Sequence, residues 1–141
     1  MSYYVKYSGT AFSVPTEKCV RVFDALKNSF LSTYARPEAA SAFQSHSYNN
    51  PGDFEELLGL CFYEVFIAHD DNHVEIDVSG YENHPEDKLV DFLTILGCNG
   101  LMPTPFYCEG ERSEDYAKMI YDPEADIVHT YEGRIVYEDE V

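Results

Sequence analysis

Tryptophan is absent from the 141 residues, and basic side chains are scarce, with nine Lys and Arg standing against 26 Asp and Glu. The formal net charge of −17 leaves no basic stripe of the kind that nucleic-acid binding requires, and such a surface repels nucleic acid and anionic membranes. No two of Cys19, Cys61, Cys98 and Cys108 lie closer than ten residues, so the CxxC spacing of a zinc ribbon or redox motif is missing. The start, Met1 to Lys6, lacks the basic region and apolar run of a secretory signal. No stretch approaches the roughly 18 apolar residues of a membrane span. These absences predict an intracellular protein with free thiols, placed in the cytoplasm.

A core is nevertheless well supplied. Hydrophobic residues make up 45% of the chain, and 12 Tyr and nine Phe replace Trp as large apolar surfaces. A chain of this length buries about two-thirds of its unfolded surface and needs no staple. Residues 1–141 are expected to form a single domain.

The aromatic segment Tyr3–Phe12 reads as a strand, with Gly9 a candidate bulge. Thr16 is the expected N-cap of a helix to about Phe30, because Cys19, Val20, Phe23, Leu26 and Phe30 recur at helical steps. Ala39 to Phe43 has the composition of a short helix after Pro37, and residues 45–52 that of a loop. Asp53 and Glu56 have capping-box spacing, and Phe54, Leu57, Leu58, Cys61, Phe62, Val65 and Phe66 form one helical stripe. Asp70-Asp71-Asn72 then predicts a turn from helix to strand. His73 to Ser79 alternates strictly, with Val74, Ile76 and Val78 inward. A further helix is expected from near Asn83 to Leu96, followed by strands at about 103–109, 115–121 and 126–137, the last with a candidate bulge at Gly133. The fold class is α+β: an antiparallel sheet of about five strands with two to three helices packed on one face.

Catalytic motifs are not evident. His69, Asp70, Asp71, Asn72 and His73 offer ligand types for a divalent metal, but the spacing fits neither HExxH nor an EF-hand loop. The same residues are what a turn prefers, because their side chains bond to local backbone. Ser and Cys positions lack nucleophile-elbow glycines, and His46 lies in a loop with no recognisable partner. Cys108 has acids nearby, the wrong field for a reactive thiol. His129 reads as a strand-pairing residue. Isolated Gly9, Gly52 and Gly59 form no phosphate loop. No cofactor, metal ligand or catalytic residue is assigned, and the chain is read as a non-enzyme.

The acids carry the positive signal. Residues 53–141 hold 23 of them against four bases. Glu109, Glu111, Glu114, Asp115, Asp122, Glu124, Asp126 and Glu132 crowd the C-terminal strands, while Asp70, Asp71, Glu75 and Asp77 belong to the earlier turn and strand. On a sheet, carboxylates on neighbouring positions sit about 5–8 Å apart. Tyr107, Tyr116, Tyr121, Tyr131 and Tyr137 are interleaved with them, and Tyr is a favoured interface anchor. Displayed together as one anionic face, these groups suit the basic groove of a nucleic-acid-binding protein.

The run Pro103 to Tyr116 (PTPFYCEGERSEDY), followed by Glu132 to Glu138 (EGRIVYE), is similar to the C-terminal module of small uncharacterised proteins of phages and actinobacterial mobile elements. The likeness spans under half the chain. It carries over no catalytic residue, and it implies a phage or mobile-element setting inside a host cell. Small acidic proteins there are often inhibitors of host defence. The expectation is an inhibitor of a nucleic-acid-handling defence protein, such as a CRISPR effector or restriction enzyme, acting by nucleic-acid mimicry. Two alternatives stay open: an assembly protein that self-associates through Tyr-rich faces, and a small metal-assisted enzyme built on His69, Asp70, Asp71 and His73.

Overall fold

The computed structural model describes residues 4–110 and 116–133. Strand β1 (Tyr4–Pro15) buries Val5, Tyr7, Phe12 and Val14. The first pair are odd-numbered and the second even-numbered, so strict alternation would turn one pair outward. An extra residue between Gly9 and Phe12 resolves the conflict: Gly9 pairs with Val78 and Phe12 with Ile76. The irregularity therefore falls at Thr10–Ala11, just beyond the glycine expected to carry it. Ala11 takes φ 57°, and its N–H donates to Asp77 Oδ1 at 2.6 Å. Gly9 is small for another reason, since a Cβ there would stand 2.5 Å from the Phe12 ring.

Helix α1 (residues 16–34) follows at once. Thr16 is inside its first turn and is not an N-cap; its hydroxyl donates to Asp71 O at 3.1 Å. The helix runs past Phe30 through a π turn at Leu26–Leu31. In a regular α-helix Leu26 and Phe30 would share a face, but Leu31, five residues after Leu26, would turn away from it. The wider turn lets all three bury. Helix α2 (Pro37–Phe43) starts with Pro in its first turn, where a missing N–H costs nothing.

Helix α3 (Gly52–Leu58) is half as long as expected. Its first residues bury Phe54, Leu57 and Leu58 as predicted, but the turn after Gly59 ends it, and Glu64–His69 is strand β2. Val65 and Ile67 are half-buried while Phe66 is 65% exposed. The helical spacing of Cys61, Phe62 and Val65 was coincidental. Val65-Phe66-Ile67 is β-branched and aromatic, and pairing with the next strand over the whole of β2 outweighs helical propensity. The Asp53–Glu56 capping box does not form, because no side chain caps this helix.

Asp70-Asp71-Asn72 consequently joins two strands rather than a helix and a strand. Strand β3 (His73–Asn83) is longer than expected and keeps Val74, Ile76 and Val78 inward. Asn83 ends this strand, so helix α4 (Glu86–Cys98) starts three residues later than predicted, after Pro85. Its C-terminus is closed by Gly100 at φ +81°. Arg21 Nη2 donates to Asn99 O at 3.0 Å, placing positive charge at the negative end of the helix dipole. Strands β4 (Phe106–Glu109), β5 (Tyr116–Asp122) and β6 (Ile127–Gly133) follow as a meander. Gly133 pairs with Tyr116 without a register shift.

The sheet is antiparallel throughout, with strand order β2-β3-β1-β4-β5-β6. Among the described residues there are six strands and four helices, one strand more than expected, because β2 stands where the sequence pattern predicts helix. The helices bury the inner face, where Phe12, Phe30, Phe62, Phe92 and Phe106 pack at centroid distances of 5.2–5.9 Å, Phe30 and Phe62 stacked and the other pairs edge-on or tilted. Among the described residues, no helix is long and apolar enough to cross a membrane.

One polar knot ties the helix layer to the sheet. Lys88 of α4 is buried; its Nζ donates to Glu82 Oε2 at 2.9 Å and to Cys61 O at 2.6 Å, above the Phe62 ring. The Tyr7 hydroxyl donates to the same Glu82 oxygen at 2.7 Å. Burial, reinforced by Glu82, pushes the Tyr7 hydroxyl far above its ordinary pKa. Removing Glu82 strands the buried Lys88 charge, whereas removing Lys88 leaves a carboxylate that is partly exposed. Glu82→Ala is therefore expected to cost about 2 kcal/mol, discounted because Glu82 is part-exposed. Lys88→Met should cost less, since Glu82 rehydrates. Urea midpoints of the two variants check this order.

Candidate functional site

All four described helices lie on one side of the sheet, and among the described residues nothing covers the other side. Register fixes which residues share that open face. One row across the strands reads Glu64, Ser79, Ser8, Tyr107, Lys118 and Tyr131. The adjacent row reads Tyr81, Lys6, Glu109 and Tyr116. Phe66 and Asp77 form the next pair, and Ala68, Glu75 and Ser13 the one beyond. Tyr4 stacks on Tyr81 at 5.1 Å. Phe66, Tyr81, Tyr107 and Tyr131 are each more than half exposed. Monomeric proteins seldom leave so many large rings together in water unless the surface has a partner.

Of the acids singled out in the sequence, the fold gathers Glu75, Asp77, Glu109 and Asp122 on this face. Asp70 and Asp71 sit in the β2–β3 turn, and Glu124 and Asp126 in the β5–β6 turn. Both turns are at the same end of the sheet but roughly 20 Å apart, about four strand spacings. Glu132 pairs with Ala117 on the helix side and lines a separate cavity with Pro85 and Leu89. The described acids are thus divided among one face, two turns and the opposite side rather than displayed together. Glu111, Glu114 and Asp115 lie outside the described residues, as does Tyr137. Tyr121 is buried, where its hydroxyl donates to Asp126 Oδ1 at 2.8 Å.

Sequence reading missed Glu64, Phe66 and Tyr81. The first two were hidden by the helical stripe, although the alternation of Tyr63, Val65 and Ile67 against Glu64, Phe66 and Ala68 was there to read. Tyr81 lies in the part of β3 beyond Ser79, where the sequence alternation stops.

The open-face carboxylates are held mostly by neutral donors. Asp77 accepts from the Ala11 amide, Glu64 from Ser79 Oγ at 3.3 Å, and Glu109 from the Tyr116 hydroxyl at 3.1 Å. Glu75 Oε1 is 3.3 Å from His73 Nε2. Asp122 contacts His129 Nε2 at 3.0 Å, and this contact chiefly holds its carboxyl below the usual range, helped by the Glu124 and Ala125 amides. Among the described residues, Lys88–Glu82 is the one ion pair made by a lysine or arginine, and it is not on this face. Among the described residues, five carboxylates there face Lys6 and Lys118, an excess of negative charge on this face.

The His69–His73 segment is a tight hairpin turn. Asp70 Oδ1 accepts from the amides of Asn72 and His73 at 2.7 and 3.0 Å, which lowers its pKa. Among the described residues, a different His and acid group comes within an ion's reach: His46, Asp53 and Glu56, with ligand atoms within 4.8 Å of one another. His46, expected to lack a partner, has its Nε2 2.9 Å from Asp53 Oδ1. The other Asp53 oxygen accepts from the amides of Asn49 and Asn50 at 2.6 and 2.9 Å. This arrangement clips the 44–51 loop onto α3. Burial alone would raise the Asp53 pKa, but His46 and the two amides outweigh it and hold the group low.

A depressed carboxylate stabilises the fold above the unfolded pKa and loses that contribution as pH falls through the folded one. Wild-type stability should therefore decline below about pH 4. Asp53→Asn should be less stable at pH 7 and show a flatter decline, measured as urea midpoint against pH.

The thiols are not activated. Burial pushes Cys61 up to about 12 and Cys108 up to about 11. For Cys108 burial is the larger cause, and Glu86 adds to it, whereas acids alone were expected to act. Comparison of the chain with protein-family models, curated proteins and solved structures returned no match.

Proposed function

We propose that this protein is a non-enzymatic binding module whose open sheet face occupies the basic groove of a nucleic-acid-handling protein, where nucleic acid would otherwise lie. One observation carries the reading: a six-stranded sheet with one face that no described helix covers, whose outward positions interleave carboxylates with exposed aromatic rings. Glu75 and Asp77 are two positions apart on β3 and Glu64 lies diagonally across from Asp77, at spacings of about 5–8 Å that are of the order of those between phosphates, and tyrosines supply the stacking and apolar contact that bases would provide. The wider negative charge of the chain steers encounter with a basic surface. In the phage or mobile-element setting that the C-terminal resemblance implies, the partner is a host defence nuclease or CRISPR effector, and binding inhibits it.

Competition tests this directly. Labelled duplex DNA bound to a panel of basic-groove nucleases and CRISPR effectors is titrated with the protein. Displacement from at least one of them, weakening steeply between low and high salt, is the expected result. Displacement from none would end the proposal. Self-association through the same exposed aromatics is the competing reading, and a salt-insensitive dimer in sedimentation would favour it instead.

A further inference from the structure

A depression of about 340 Å³ opens on the outward face of the sheet. Its floor is low because Ser8 and Ser79, directly paired on β1 and β3, are the small residues of their row. Its walls are the side chains of Tyr63, Tyr81, Tyr107 and Tyr116, with the carboxylates of Glu64 and Glu109 among them. Hydroxyls hold both carboxylates in place: Ser79 donates to Glu64, and Tyr116 to Glu109. Lys6 also lines the depression, between Tyr81 and Glu109 in the register. Two carboxylates against one ammonium leave a net negative site walled by electron-rich rings.

We infer that this depression receives an arginine side chain of the partner, an inference that takes the partner's basic character from the function proposed above. The chemistry of the walls stands on its own. A guanidinium is planar and weakly hydrated, stacks on tyrosine faces, and presents parallel N–H groups to a carboxylate. A lysine ammonium is a compact, strongly hydrated charge and gains less from the same rings. Anionic ligands are repelled by Glu64 and Glu109. Arginine and tyrosine are also the residue types that most often pair as binding hot spots. Lys6 is the internal competitor, because its charge opposes entry of a second cation.

The probe is N-acetyl-arginine N-methylamide, titrated into isotope-labelled protein and followed by amide chemical shifts. Saturable shifts at Ser8, Glu64, Ser79 and Tyr107 are expected, with the lysine analogue about threefold weaker or more. Tyr107→Ala and Glu109→Gln alter exposed side chains and leave the core intact. Each should weaken arginine binding by about three- to tenfold. Lys6→Met should strengthen it, also by about threefold or more. Non-saturating shifts spread equally over the turns at 70–72 and 122–126 would overturn the inference, as would unchanged binding by Tyr107→Ala. Those results, with DNA displacement intact, remove the anchor and leave the docking surface. Arginine binding without displacement of DNA from any groove supports the site and removes the proposed partner class.

Discussion

Phe92→Ala is expected to lower stability by about 3–5 kcal/mol, a large part of the roughly 5–15 kcal/mol that a domain of this size possesses. The ring is fully buried on α4. It meets Phe12 of β1 at 5.3 Å, Phe30 of α1 at 5.6 Å, Phe62 at 5.3 Å and Phe106 of β4 at 5.9 Å. One side chain therefore joins two strands, two helices and the turn after α3. Its loss leaves a cavity bounded by rings already held from several directions, so the walls have little room to collapse. Phe66→Ala is the matched control. It removes the same atoms from the open face, where the ring is 65% exposed, and should change stability by no more than about 0.5 kcal/mol. Urea unfolding of both variants decides the matter, and similar losses in the two would contradict this account of the core.

The contrast between these phenylalanines also marks how far the sequence could be read. Phe92 belongs to the helical recurrence of Leu89, Phe92, Leu93 and Leu96, all buried, a pattern that strand pairing does not contest. Val74, Ile76 and Val78 were legible for the same reason, since alternation with Glu75 and Asp77 matched the sheet. Phe66 was misplaced because the apolar residues from 54 to 66 satisfy a helical period by accident. Only pairing with β3, a non-local interaction, breaks the tie. The bulge in β1 was detectable in principle from the change of parity between Tyr7 and Phe12. The meander strands were found within a few residues, but the faces of their acids were not. Glu132 and Glu109 look alike in the sequence and end on opposite sides because of register. His46 and Asp53 are seven residues apart, and nothing local announced their contact.

Charge reversal at Glu64, Glu75 and Glu109 together, each to Lys, is expected to reduce affinity for a competed groove by about 100-fold or more. These three acids lie on β2, β3 and β4, so the change spans the face that would meet the partner. None holds the β1 bulge, which depends on Asp77, and the fold should persist. Reversal at Asp71, Glu124 and Glu132 alters net charge by the same amount. These residues occupy the two turns and the helix side, so only long-range steering should weaken, by less than about tenfold. The paired design separates a located surface from a merely negative protein. Binding measured by displacement of labelled DNA at one fixed salt concentration gives both values, and equal losses would show that position on the sheet does not matter.

Carboxyl footprinting of the complex, residue by residue, tests the docking surface most directly. With a groove protein bound, Glu64, Glu75, Asp77 and Glu109 should become protected from carbodiimide labelling, while Asp71, Glu124 and Glu132 stay as reactive as in the free protein. Protection confined to the turns or the helix side, with the four open-face acids unchanged, would contradict it.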